Sequence, residues 1–350
     1  MSKLSKHIIS KTFTIREALQ RLNEVSGAQS MVLFITDEKG KLTGTLTDGD
    51  IRRGLLAGIT LEIGVEKVMN TSFRFLQTGK ISLKQIDELR AKNITLVPLI
   101  DANGQIVKLI SLKDKLSYLP IDALIMAGGA GERLRPLTEH TPKPMLKVGD
   151  KPILEHNVDR LVKFGVDHIH ISLRYLGNKI SEYFGDGSSK EVSIDYVTEE
   201  QPLGTLGAIR LVKNWQHDTV LVMNSDLLTN VDLESMYRKF EEADADMCVA
   251  TVPYHITVPY AIMETEGDQV RSLKEKPTYT YYANAGIYLF KREALKYVPA
   301  EGKFDTPDLM EKLIENKAKL ISYALHEYWL DIGRHEDYTK AQEDIKHIRL

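Results

Sequence analysis

At 350 residues the chain is long for one domain, and two or three domains are the natural expectation. Its 43% hydrophobic and 27% charged residues are those of an ordinary globular protein, and a formal net charge of −3 argues against a nucleic-acid binder, whose electrostatic footprint is basic. Cys248 is the only cysteine, so no disulfide forms within the chain; with no apolar leader in MSKLSKHIIS and no run of 18 apolar residues, neither export nor membrane insertion is expected, and a cytoplasmic location is.

The first 119 residues contain an internal repeat. Asp37 to Asp50 reads DEKGKLTGTLTDGD and Asp101 to Asp114 reads DANGQIVKLISLKD, in constant register. Each copy predicts a β-hairpin: an apolar strand (MVLFI; TLVPLI), a D-x-x-G turn, then a second strand. A helix precedes each, at Thr14 to Val25 and at Ser82 to Asn93, opened by capping boxes of Thr14 with Glu17 and Ser82 with Gln85. The first copy has four more residues between helix and strand, around Ser26 to Ser30.

This unit resembles the cystathionine-β-synthase-type (CBS) domain, which comes in pairs and often binds adenosine-containing ligands between the copies. The resemblance divides the segment at 1–61 and 62–119, and makes a regulatory adenine nucleotide and a homodimer expected. In that family a [ST]-x-x-D after the second strand contacts ribose and phosphate; Thr47 with Asp50, and Ser111 with Asp114, stand at those positions. The alternative is that they only cap following helices, before IRRGLLAG and before KLSYL.

LSYLPID, with Pro120, is a short connector into a third region, 120–350. Strands and helices then alternate: helix 153–164, strand 168–173, helix 177–184, strand 192–197, helix 205–212, strand 219–223, helix 233–243 and strand 246–252. That order predicts an α/β fold with a mostly parallel sheet, whose ligands lie at the carboxyl ends of the strands.

The first of those strand ends is ALIMAGGAGERLRPLTEHTPKPML, Ala123 to Leu146. An apolar run breaks into Gly128, Gly129 and Gly131, which allow positive φ and close approach of backbone N–H groups to an anion, and a following helix start would add positive dipole. Arg133, Arg135 and Lys143 add charge, and Pro136, Pro142 and Pro144 stiffen the loop. The stretch lacks the GK[ST] of a Walker loop and the third glycine of a dinucleotide fingerprint. A plain strand-to-helix turn is the simpler alternative; the basic residues argue instead for a polyphosphate site.

The stretch resembles the signature loop of the sugar-phosphate nucleotidyltransferases, G-G-x-G-x-R-L-x-P-[LM]-T followed by P-K-P-[ML]. The resemblance implies a Rossmann-like domain in which Ala127, Gly128, Gly129 and Gly131 cradle the nucleotide while Arg133 and Lys143 hold the triphosphate and act catalytically. Downstream, TEEQPLGTLGAI resembles the E-x-x-P-L-G-T-[AG]-G segment that grips the base, through Gly204 and Thr205, with Leu206 where a smaller residue is commoner. Asp226, ending the apolar run VLVMNSD, stands where the family binds Mg²⁺; the usual preceding Gly is Ser225 here, and Asn224 breaks the D-x-D of a glycosyltransferase. Asp331, in YWLDIG, is implied as the second metal ligand. Glu275 and Lys276 of EKP, and Asn284 and Gly286 of NAGIY, are implied as the sugar-phosphate site, and a helix over His335 to His347 as a C-terminal cover.

The implied reaction is Mg²⁺-dependent transfer of a nucleoside monophosphate to a sugar 1-phosphate, releasing pyrophosphate, without a general base because the attacking phosphate is already ionised. PLGT with KPM leans towards guanylyl transfer from GTP; thymidylyl, uridylyl and cytidylyl relatives share the scaffold. A reading of another class is a non-catalytic adenylate sensor, against which Arg133, Lys143, Asp226 and Asp331 together count. Cys248, in MCVATV, reads as a buried inert thiol.

Overall fold

Five consecutive apolar residues in a strand, as in MVLFI, can be satisfied only if both faces of the strand are covered. In the computed structural model, which describes residues 6–25 and 30–348, Leu33, Phe34 and Ile35 are covered in this way, while Met31 precedes the strand and is exposed. The extra residues at 26–29 lie outside the described residues. The chain divides into two units, Met1–Pro120 and Ile121–Leu350.

The first unit runs β1 (Ile8–Ser10), α1 (Ile15–Glu24), β2 (Val32–Thr36), β3 (Leu42–Thr47) and α2 (Asp48–Leu56), then β4 (Leu76–Gln77), α3 (Leu83–Ala91), β5 (Leu96–Ile100) and β6 (Ile106–Ser111). Each half is a three-stranded sheet, β1-β2-β3 or β4-β5-β6, whose first strand is parallel and whose second and third form the expected hairpin. The short parallel strands β1 and β4 carry no pattern legible in the sequence. The repeat extends to detail: both D-x-x-G turns have the glycine at positive φ, and the hairpins bulge at matching places, leaving Thr36 opposite Leu42 and Ile100 opposite Ile106.

Strand alternation then assigns the side chains. Leu33, Ile35 and Leu46 pack with α1 residues Ile15, Ala18 and Leu22, and Val97, Leu99 and Ile110 pack with Ile86 and Leu89 of α3. The opposite faces meet each other: Phe34 and Leu42 of the first half share a core with Leu96, Ile100 and Leu109 of the second. Thr14 and Ser82 are the N-caps expected, each in a reciprocal capping box. Thr47 caps α2, with Asp50 at its third position. No helix follows Asp114. Arg90 Nη2 donates to the Lys115 and Leu116 carbonyls, which a helix would need, and Tyr118 and Leu119 are buried in extended chain ahead of Pro120.

The second unit continues with β7 (Ile121–Met126), a short hairpin of β8 (Lys147–Val148) and β9 (Lys151–Pro152), α4 (Ile153–Lys163), β10 (His168–Leu173), α5 (Gly177–Phe184), β11 (Ser193–Thr198), β12 (Thr219–Asn224), β13 (Leu227–Thr229), α6 (Leu233–Glu242) and β14 (Met247–Thr257). There follow β15 (Ile262–Glu266), β16 (Gln269–Lys274), β17 (Thr278–Lys291), α7 (Thr306–Glu315), β18 (Leu320–Ala324), β19 (Trp329–Asp331) and α8 (His335–Asp344). The main sheet has the order β11-β10-β7-β12-β17-β14-β18 and is mostly parallel, with β17 antiparallel to both neighbours. Every residue of β10 is buried and all but the last of β7, as strands covered on both faces require.

The helix expected over 205–212 is instead a 3₁₀ turn at Gly207–Leu211. The N–H groups that would start a helix are taken by a neighbouring loop: Thr205 donates to Asp305 Oδ1 at 2.6 Å, and Leu206 and Gly207 both donate to the Phe304 carbonyl. Strand β14 runs past the expected Val252 because its outer half pairs with β17 as an exposed ribbon.

Candidate active site

Where β7 runs out of apolar residues, the Ala127 N–H is anchored to the carbonyl and hydroxyl of Ser172 on β10, both at 3.2 Å. The chain then needs two glycines for different reasons. A Cβ on Gly128 would lie 2.6 Å from Glu199 Oε1; Gly131 has φ +65°, and a Cβ there would lie 2.8 Å from that of Lys143. After Gly131 the chain makes a three-residue 3₁₀ turn, Glu132–Leu134, rather than a helix. The macrodipole expected there is therefore missing, and anion binding at the loop falls to its N–H groups and cations.

The basic segment is pinned from several sides. Thr138 Oγ1 donates to the Gly131 carbonyl at 2.8 Å, Tyr175 Oη donates to the carbonyls of Thr138 and Glu139, and Lys179 Nζ to that of His140. Leu134 is buried with Leu146, Val148, Ile332 and Ala341 of α8, so the C-terminal helix does cover this region.

The two aspartates reach the same place by different routes. Asp226 follows the end of β12, beside β7. Antiparallel pairing of β13 with β19 sets Asp331 opposite Leu227, and the Ile332 N–H donates to the Asp226 carbonyl at 3.1 Å. Lys143 Nζ donates to Asp226 Oδ2, while Asp226 Oδ1 is buried without a hydrogen-bond partner. Desolvation first, and then the Asp226 carboxylate, push the Asp331 pKa above its ordinary value. A carboxylate oxygen left orphaned beside a second, reluctant carboxylate is what a divalent cation would satisfy, so the pair fits Mg²⁺.

Gly128, Gly129, Gly131, Arg133, Lys143, Gly204, Thr205 and Asp226 line one cleft of about 480 Å³ at the carboxyl edge of the sheet. Ala127 is buried just behind it. Gly286 backs it through Asn224, since a Cβ there would meet Asn224 Nδ2 at 2.6 Å. Glu275 and Lys276 are exposed on the turn between β16 and β17, at the outer end of the ribbon and outside the cleft lining; there the Val258 N–H is bonded to the Pro277 carbonyl. Asn284 is exposed too, with Oδ1 accepting from the Gly286 N–H. Among the lining residues to which the sequence reading gave no role in the site are Arg174, Glu199 and Asn224. Each sits at or just past the end of a sheet strand, and Glu199 also opens the E-x-x-P-L-G segment. Its Oε2 accepts the Leu203 N–H at 3.2 Å, joining that segment to the glycine loop.

In the first unit, Thr47 and Asp50 satisfy one another, and Asp50 also accepts from Arg53 at 2.5 Å. Ser111 Oγ donates to Asp114 Oδ2 at 3.0 Å.

The family model described as nucleotidyl transferase matches residues 122–348, and the CBS domain model matches residues 5–57. A mannose-1-phosphate guanylyltransferase of Mycobacterium tuberculosis is 33% identical over 231 residues, covering 64% of this chain and 64% of that protein. A D-glycero-alpha-D-manno-heptose 1-phosphate guanylyltransferase of Aneurinibacillus thermoaerophilus is 32% identical over 230 residues, covering 65% of this chain and 99% of that protein. A UTP–glucose-1-phosphate uridylyltransferase of Synechocystis is 29% identical over 253 residues, covering 65% of each. The chain thus spans just under two thirds of the first and third of these relatives and nearly all of the second.

Proposed function

The chain belongs to the nucleotidyl transferase family, and on that premise we propose that it transfers a nucleoside monophosphate, GMP from GTP first among the candidates, to a sugar 1-phosphate. The observation that carries the reading is the convergence of Lys143, Arg133 and Asp226 on one cleft roofed by glycine backbone, with Asp331, outside the cleft lining, set beside Asp226 by the pairing of β13 with β19. A sugar 1-phosphate oxygen attacks the α-phosphorus of the triphosphate; the new P–O bond forms as the bond to the bridging oxygen breaks and pyrophosphate leaves. Little covalent chemistry is asked of the protein, and positioning with charge neutralisation supplies most of the rate.

Asp226 and Asp331 would hold Mg²⁺, which would supply charge neutralisation for the triphosphate. Lys143 and Arg133, which line the cleft, face the phosphates, and loss of one such donor costs on the order of 100-fold or more in rate. Gly128 and Gly131 let the loop backbone approach, and Gly204 with Thr205 faces the nucleoside from the opposite wall. Guanylyl transfer is favoured by the names of two relatives and by the PLGT and KPM segments, against one uridylyl relative. The CBS-type unit is assigned a regulatory role with an adenosine-containing ligand.

The test is pyrophosphate release with Mg²⁺ across four nucleoside triphosphates and a panel of hexose, hexosamine and heptose 1-phosphates, repeated with Asp226→Asn. Release with GTP and one sugar phosphate, abolished in the variant, supports the reading. Release with another triphosphate replaces the base assignment, and no release with any pair overturns the activity.

A further inference from the structure

At the amino end of the same sheet, away from the cleft, lies a cluster that nucleotidyl transfer does not use. Strand alternation puts His168 and His170 on one face of β10, and the parallel register of β10 with β11 sets Asp195 beside His170. One ring nitrogen of each histidine and a carboxylate oxygen of Asp195 lie within 4.8 Å of one another.

The hydrogen bonding around His168 is fixed from behind. Asp122, fully buried at the start of β7, accepts the N–H groups of Gln216 and His217 on Oδ2, at 2.7 and 2.8 Å, and holds His168 Nδ1 on Oδ1 at 3.1 Å. An anion so placed requires a proton on Nδ1. The other nitrogen, Nε2, then faces Asp195 Oδ2 at 2.9 Å. In a neutral ring that nitrogen carries a lone pair, and a lone pair against a carboxylate repels, so a cation must lie between them, either a second proton or a metal. A buried carboxylate orienting a histidine whose far nitrogen points at other ligands is the outer arrangement characteristic of zinc sites.

His170 adds an independent sign. It is 2% exposed, and its Nε2 is buried with no hydrogen-bond partner. The Trp215 ring packs edge-on against it, centroids 5.0 Å apart. Asp195, whose side chain is 51% exposed, opens the cluster to solvent.

We propose that His168, His170 and Asp195 form a site for a divalent transition-metal ion of the zinc type, with Asp122 as the positioning residue and solvent as the fourth ligand. Two imidazoles and one carboxylate suit Zn²⁺ or Co²⁺ rather than Mg²⁺. Tetrahedral coordination sets ligand atoms roughly 3.3 Å apart, so on binding the Asp195 carboxylate draws back from His168 Nε2, now at 2.9 Å, as the ion enters between them. The metal replaces the second proton on His168 and ties β10 to β11.

The experiment takes the full chain stripped with a chelator and titrates it with Zn²⁺ by calorimetry and with Co²⁺ by visible absorption, in the wild type and in Asp226→Asn, which removes metal binding at the active-site carboxylates. One equivalent that persists in Asp226→Asn, gives a tetrahedral Co²⁺ spectrum displaced by Zn²⁺, and weakens at least tenfold in Asp195→Ala is the expected result. His170→Gln, which keeps a polar side chain of similar reach, is the second variant and weakens binding likewise. No binding in Asp226→Asn, or binding unchanged in both Asp195→Ala and His170→Gln, overturns the proposal and leaves His168 as an imidazolium bridging two carboxylates.

Discussion

Lys143 and Asp226 form an ion pair that ties the basic loop after β7 to the end of β12, with only 11% and 22% of their side chains exposed. Each is thereby neutralised by the other, so the cleft is held together by the same charges assigned to the triphosphate and the metal.

Breaking that pair from either side should be worse than removing both members. Lys143→Gln leaves a largely buried carboxylate unpaired and is expected to lose about 1–3 kcal/mol of stability. Adding Asp226→Asn should restore part of it, with a coupling of about 0.5–3 kcal/mol in a double-mutant cycle read by urea unfolding. Transfer activity falls on the order of 100-fold or more in all three proteins. Additive stability effects would show that the pair is incidental.

Asp331 should trade stability against activity. Its folded-state pKa is raised, by desolvation and by Asp226, so the native state favours the protonated form. The stability this contributes is present below the unfolded pKa and lost as pH rises through the folded one. Asp331 is exposed at the end of β19, so solvent screens much of this effect and the ionised group is only a small burden at neutral pH; Asp331→Asn should raise Tm slightly while abolishing transfer. Mg²⁺ should raise the Tm of the wild type and leave that of the variant unmoved, and activity should decline on the acid side above the usual carboxylate range. A lower Tm for the variant at pH 7 would contradict this account.

The glycine loop offers a contrast between neighbours. Gly131→Ala forces a Cβ onto a residue at φ +65° and against Lys143, and should lose about 1–2 kcal/mol as well as activity. A Cβ on Gly129 meets nothing within 4 Å and projects into open space at the cleft, so Gly129→Ala should keep its Tm yet raise KM for the triphosphate. Unchanged kinetics in Gly129→Ala would mean that the phosphates do not approach this backbone.

In the CBS-type unit, Thr47→Ala removes a helix N-cap and should cost about 1 kcal/mol. Ser111→Ala, at the matching place with no helix after it, should cost less. Calorimetry on the full chain compares them, and equal losses would deny that capping is what separates the two sites.

Cys248 is buried near the start of β14, and burial pushes its thiol pKa up to about 12. A thiol reagent should leave it unmodified in the native protein and label it only on unfolding. Rapid labelling under native conditions would show that β14 opens locally.

The tandem repeat, the strand and helix order and the glycine loop were all legible in the sequence because each is a local pattern: alternation, capping, a turn glycine at fixed spacing. Misreadings arose where local propensity met a distant partner. PLGTLGAI has helix-start residues, yet Phe304 and Asp305 take its donors; KLSYL could turn, yet Arg90 holds its carbonyls. Sequence motifs named Lys143, Asp226 and Asp331 one by one, but that the first two pair, and that the third is brought beside them by β13 and β19, comes from strand register across the whole unit. The meeting of His168, His170, Asp195 and Asp122 has the same origin. Register is settled by the summed packing of many side chains, and no short stretch of chain contains that sum.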